Sequence, residues 1–148
     1  MWTLISLEDD ACLAGTSIQK VLNSFLDILE VNYVLLEDIG SPGTYNILHD
    51  NQFPILPLSR FLDYLPQVTQ FDWGNFYLFK DPISDCNEIL AVDDYEKIRL
   101  SETTIRAVDY AYIYVYTPYK EVAERVKACG FKIDSIKEGE LTSLDYPF

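Results

Sequence analysis

Hydrophobic positions recur along this chain with two different periods, and the change between them marks out its elements. Ile18, Val21, Leu22, Phe25, Leu26 and Leu29 fall three or four residues apart, which places them on one stripe of a helix. Gln19, Lys20, Asn23, Asp27 and Glu30 occupy the opposite side, and Gly15, Thr16 and Ser17 precede the stripe as a turn with a candidate cap. Residues 110–117 (YAYIYVYT) alternate instead. Tyr110, Tyr112, Tyr114 and Tyr116 share one face and Ala111, Ile113 and Val115 the other, the period of a strand. A tyrosine face of this kind is expected to pack beneath a helix; the alternative is a partly exposed aromatic surface, because tyrosine has an apolar body and a polar tip.

The remaining segments are shorter. Residues 2–7 (WTLISL) and 31–39 (VNYVLLEDI) read as strands, the second ending in the turn signal Gly40-Ser41-Pro42-Gly43. Pro54 and Pro57 demote residues 45–58 to an ordered loop or a short edge piece. Ser59 is placed to cap a short helix over residues 60–65 that Pro66 stops. The corner Asp72-Trp73-Gly74 leads into a strand at residues 75–79, with Trp73 either a core plug or an exposed anchor. Residues 88–92 read as a strand, and residues 93–100 and 101–108 as one or two short helices, with Ser101 a candidate cap. Thr117-Pro118 is placed to open a helix with Val122, Ala123, Val126 and Cys129 on its apolar side, and Gly130 to close it. Residues 131–136 alternate as a further strand, completing a β-α-β unit whose crossover is right-handed if its strands are parallel. The expected fold is therefore a single domain over residues 1–148, α+β or α/β, with a mixed sheet of about five strands and two or three main helices packed on it.

Charge narrows the range of partners. The 148 residues carry a formal charge of −13. It is unevenly spread, with ten acids against two bases up to Gly74 and fourteen against nine beyond it. Such a surface repels nucleic-acid phosphates and anionic lipid, so direct nucleic-acid or membrane binding is not expected, while encounter with a basic partner is accelerated. No apolar run reaches the roughly 18 residues that span a bilayer. The first residues lack the basic region of a signal peptide, and Cys12, Cys86 and Cys129 are widely spaced and odd in number. These features together predict reduced thiols in a cytoplasmic protein.

No motif for chemistry appears. A zinc site needs three or four clustered ligands, and His49 is the only histidine, without cysteines or carboxylates at ligand spacing around it. A Cys-His pair would have to combine His49 with a distant thiol, and no glycine-rich phosphate loop is present. The carboxylate pairs Glu8/Asp9/Asp10, Glu37/Asp38 and Asp93/Asp94 are what chance produces among 24 acids, so solvated surface is their expected role. No catalytic residue, cofactor or metal ligand is assigned.

The function expected from these limits is a non-catalytic interaction module, an acidic inhibitor that occupies the basic cleft of a nuclease toxin or another nucleic-acid-binding protein. In composition alone the chain is similar to immunity proteins, antitoxins and nucleic-acid mimics, and no family motif accompanies that likeness. The expected contact residues are Glu37, Asp38, Asp93, Asp94 and Glu96, with Trp73 and Tyr95 as aromatic anchors. Two alternatives stand beside this reading. One is a small enzyme or ligand-binding domain with a site built from Tyr, Asp and Glu; the other is a structural subunit of a larger complex.

Overall fold

A computed structural model describes residues 1–41 and 54–142. The strands are β1 (Trp2–Glu8), β2 (Tyr33–Gly40), β3 (Ile55–Pro57), β4 (Trp73–Phe79), β5 (Thr103–Val108), β6 (Tyr112–Thr117) and β7 (Lys132–Gly139). The helices are α1 (Gly15–Asn23), α2 (Leu58–Tyr64), α3 (Cys86–Ala91), α4 (Asp94–Leu100) and α5 (Lys120–Lys127), with one 3-10 turn at Leu65–Gln67. All seven strands join a single sheet in the order β3-β2-β4-β5-β6-β1-β7, and every neighbouring pair is antiparallel. The result is one α+β domain with more strands and helices than the pattern predicted.

Register explains the two faces. One row across the sheet reads Leu36, Phe76, Ile105, Val115, Ile5 and Ile136, and its neighbour carries Ala107, Ile113, Leu7 and Ile133. Apart from Ile133 and Ile136, which are exposed on the edge strand β7, this apolar face meets Ile18, Val21, Leu22 and Phe25 from α1 and its extension, Phe61 of α2, and Val122, Ala123 and Val126 of α5, forming the main core. The other face alternates with it and is far more polar. Its corresponding row is Glu37, Asn75, Arg106, Tyr114, Ser6 and Ser135, flanked by Leu35, Tyr77, Thr104, Tyr116, Leu4 and Lys137. A second, smaller cluster closes over it, in which Ile98 of α4 and Leu141 pack with Leu4, Leu35, Tyr77, Tyr114 and Tyr116.

Several sequence expectations are corrected. Residues 88–92 are not a strand: α3 takes Cys86–Ala91, with Asp85 Oδ1 accepting from the Glu88 amide at 3.1 Å as its cap. Residues 101–108 are not helical, since Thr103–Val108 form the buried strand β5 with no exposed position to reveal a period. The sheet is antiparallel at every pair rather than mixed. β6 and β7 do run in the same direction around α5, but β1 lies between them, a split β-α-β arrangement. Thr117 precedes its helix by two further residues; its Oγ1 accepts from the Tyr119 amide at 3.2 Å, and α5 starts at Lys120. Ala128 caps that helix, and Gly130, at φ 105, lies two residues beyond it. His49 and Pro42 lie outside the described residues. Within them, no helix is long and apolar enough to cross a membrane.

Candidate functional site: an acidic cleft at one end of the sheet

Four backbone junctions meet where β1 and β2 end, β4 begins and β5 turns into β6. The Asp9 amide donates to Ala111 O at 2.8 Å, Tyr110 to Asp72 O at 3.1 Å, Asp72 to Gly40 O at 2.9 Å and Phe71 to Leu13 O at 2.7 Å. These bonds hold the loops in fixed relation. Between them is a cleft of about 810 Å³ lined by Glu8, Asp9, Asp10, Cys12, Gln70, Asp72, Trp73, Asp109 and Tyr110, with Ala11 and Ala111.

The β5–β6 turn presents Tyr110 by an uncommon route. Asp109 and Tyr110 both have positive φ, 52 and 48, and Ala111 N closes the turn onto Val108 O at 3.3 Å. Left-handed geometry at both central positions suits the sheet's twist in a tight hairpin, and glycine or asparagine ordinarily supplies it. Here a tyrosine does, with its ring 56% exposed. This also revises the tyrosine row. Tyr114 and Tyr116 are buried on the polar face of the sheet, whereas Tyr110 has left the strand altogether. Trp73 opens β4 opposite Gly40, and its indole Cδ1 lies 3.5 Å from where a Cβ on that glycine would sit. Of the residue, 51% remains open to solvent.

Five carboxylates line this cleft and no Lys or Arg does. The four further clefts described on the surface each include at least one basic side chain. The five are not equivalent. Asp9 is buried and structural, accepting from Ser17 Oγ at 2.6 Å and from the Ala11 amide at 3.0 Å. Glu8 stands 3.4 Å from Lys132 Nζ, and Asp72 accepts from Gln70 Nε2 at 2.7 Å. Asp10 and Asp109 are exposed and make no hydrogen bond or ion pair among the described residues.

The contact residues expected from sequence fall in a neighbouring but different place. Glu37 at the end of β2 converges with Asp94 of α4, but around a cation. Lys97 is 3% exposed, with its Nζ 2.6 Å from Glu37 Oε1 and 3.4 Å from Asp94 Oδ1. Burial alone would lower the Lys97 pKa; the bond to Glu37 and the two carboxylate charges outweigh it and hold the ammonium above its ordinary value. Asp38, at φ 53, accepts from Asn75 Nδ2 at 3.3 Å, and Asn75 Oδ1 accepts from Arg106 Nε at 2.9 Å. Glu96 is paired to Arg99 at 2.7 Å, and the same guanidinium lies 5.7 Å from the Tyr95 ring centroid. Asp93 is exposed at the start of α4 with no side-chain cap bond. Of the seven residues, Trp73 alone lines the acidic cleft. Asp10, Asp72, Asp109 and Tyr110 line the cleft but stand outside the contact set expected from sequence. Tyr110 was hidden because its position continues the period of β6.

Beneath α4 the Tyr77 hydroxyl is buried without a hydrogen-bond partner, and burial followed by the charges of Asp94 and Glu37 drives its pKa far upward. It is a neutral hydroxyl at ordinary pH. Among the described residues, no group of three or more His, Cys, Asp or Glu is arranged to hold a metal ion. The three thiols are free, and burial raises the pKa of Cys129, which packs on the main core. No protein-family model, curated protein or solved structure matches the chain.

Proposed function

We propose that this protein is a non-catalytic binding protein that uses the acidic cleft to dock a basic protein partner, in the manner of an inhibitor covering the phosphate-binding surface of a nuclease. The observation that carries the reading is the composition of the cleft: five carboxylates with no basic side chain, beside two half-exposed aromatic rings. Elsewhere the chain's bases are largely engaged with its own acids, as in Arg125–Asp27, Lys127–Glu124, Lys80–Glu30 and Lys97–Glu37. The cleft presents Asp10, Asp72 and Asp109 with no Lys or Arg in its lining, a locally negative field. Such a field attracts a cationic surface before contact, and the rigid, hydrogen-bonded loops let it dock with little ordering cost.

The test is affinity capture with the purified protein, followed by measurement of the captured partner's affinity across a salt series. The expected result is a basic partner whose affinity falls steeply with ionic strength and is lost when Asp10, Asp72 and Asp109 are together replaced by Asn. Salt-independent binding, or binding that the triple replacement leaves unchanged, would overturn the proposal.

A further inference from the structure

We infer that Trp73 and Tyr110 form an aromatic clamp for an arginine side chain presented by the basic partner. This rests on the docking reading above and adds the chemistry of the recognised group. The two rings stand on adjoining backbones, because the Tyr110 amide is bonded to the carbonyl of Asp72, the residue before Trp73. Both line the same cleft and both are more than half exposed. Trp73 pairs with Gly40 where β4 begins, and Tyr110 leaves the β6 strand through the left-handed turn.

An exposed tryptophan and an exposed tyrosine in a cleft lined by carboxylates select for a particular kind of cation. A guanidinium is flat and weakly hydrated, so it can lie on an aromatic face while its N–H groups reach carboxylates at the edge. An ammonium is compact and strongly hydrated, and gains less from the same surroundings. Asp72 and Asp109 line the same cleft as the two rings, so it offers carboxylate acceptors as well as aromatic surface. Charge explains why a cation comes to this cleft, and the rings explain why arginine is preferred within it.

The experiment uses the full chain carrying Trp2→Phe, so that Trp73 is the sole tryptophan, titrated at low salt with hexa-arginine and hexa-lysine peptides while its emission is followed. The clamp predicts a saturable change with hexa-arginine at an affinity about threefold to tenfold above that of hexa-lysine. In Tyr110→Gly, and separately in Tyr110→Asn, both compatible with the left-handed turn, that preference is lost while salt-dependent binding of both peptides remains. Equal affinities for the two peptides, a preference that survives loss of the Tyr110 ring, or no binding of either peptide would overturn the clamp. The docking reading is tested separately by the Asp10, Asp72 and Asp109 replacements, so a failed clamp and a failed docking surface give different results.

Discussion

The Lys97 ammonium lies 2.6 Å from a Glu37 carboxylate oxygen, tying α4 to the far end of β2 across the polar face of the sheet. The two partners are unequally placed, since the lysine is almost fully buried and the Glu37 side chain is 19% exposed. Removing the acid leaves a buried cation with only its longer contact to Asp94, whereas removing the cation leaves an acid that can turn toward water. Glu37→Gln is therefore expected to destabilise the fold by about 2 kcal/mol and Lys97→Met by less, with the double replacement no worse than Glu37→Gln alone. Urea unfolding of the three variants checks the order; a Lys97→Met loss larger than that of Glu37→Gln would contradict it.

Gly15 is read from sequence as a turn, but its neighbours show a second requirement. A Cβ there would sit 1.6 Å from the Leu65 carbonyl oxygen, and the Gly15 amide donates to Val68 O at 2.9 Å. The start of α1 and the 3-10 turn are in backbone contact. Gly15→Ala must push them apart, at a cost of about 3 kcal/mol. A midpoint of thermal unfolding within a degree of the parent protein would refute this.

Tyr110 at φ 48 occupies a conformation that costs a side-chain-bearing residue about 1 kcal/mol relative to glycine. Its exposed ring contributes little to the core in return. Tyr110→Gly is expected to leave stability unchanged or raise it by up to about 1 kcal/mol, the gain being reduced by the greater freedom of glycine in the unfolded chain. Chemical denaturation measures this. A clear loss of stability would mean that the ring is part of the fold.

Alkaline pH should unfold the protein in a defined window. Burial and the neighbouring Tyr116 push the Tyr114 hydroxyl up to about 12, and the bond to Glu102 followed by burial does the same for Tyr119. An unfolded tyrosine ionises near pH 10, so between roughly pH 10 and 12 the unfolded chain releases protons that the native state retains, and stability falls as pH rises. Lys97 acts in the same direction: its raised pKa contributes stability below the unfolded value that is lost as pH climbs through the folded one. Circular dichroism and tyrosinate absorbance recorded together should show the last tyrosines ionising as the fold is lost. Ionisation of every tyrosine with native structure intact would count against it.

Where a sequence period was long and one-sided, the element could be read directly. The stripe from Ile18 to Phe25 is buried as its spacing demands, although the helix itself ends at Asn23 and the rest of the stripe continues in turns. Periodicity failed where both faces are covered or an element is short. β5 is buried throughout, so TTIRAV shows no alternation, and the six residues of α3 bury none, so CNEILA shows no stripe.

The candidate site divides along the same line. Composition determined that the molecule is acidic and that no local motif for catalysis or metal binding is present, because charge and ligand spacing are properties of the chain itself. Only the tertiary structure decided which acids face outward together. Glu37 and Glu96, conspicuous in sequence, are matched with Lys97 and Arg99, whereas Asp10, Asp72 and Asp109 come from three separate loops. Pairing energy depends on distance and burial, and both are set by strand order, which brings the ends of β1 and β5 and the start of β4 to one end of the sheet.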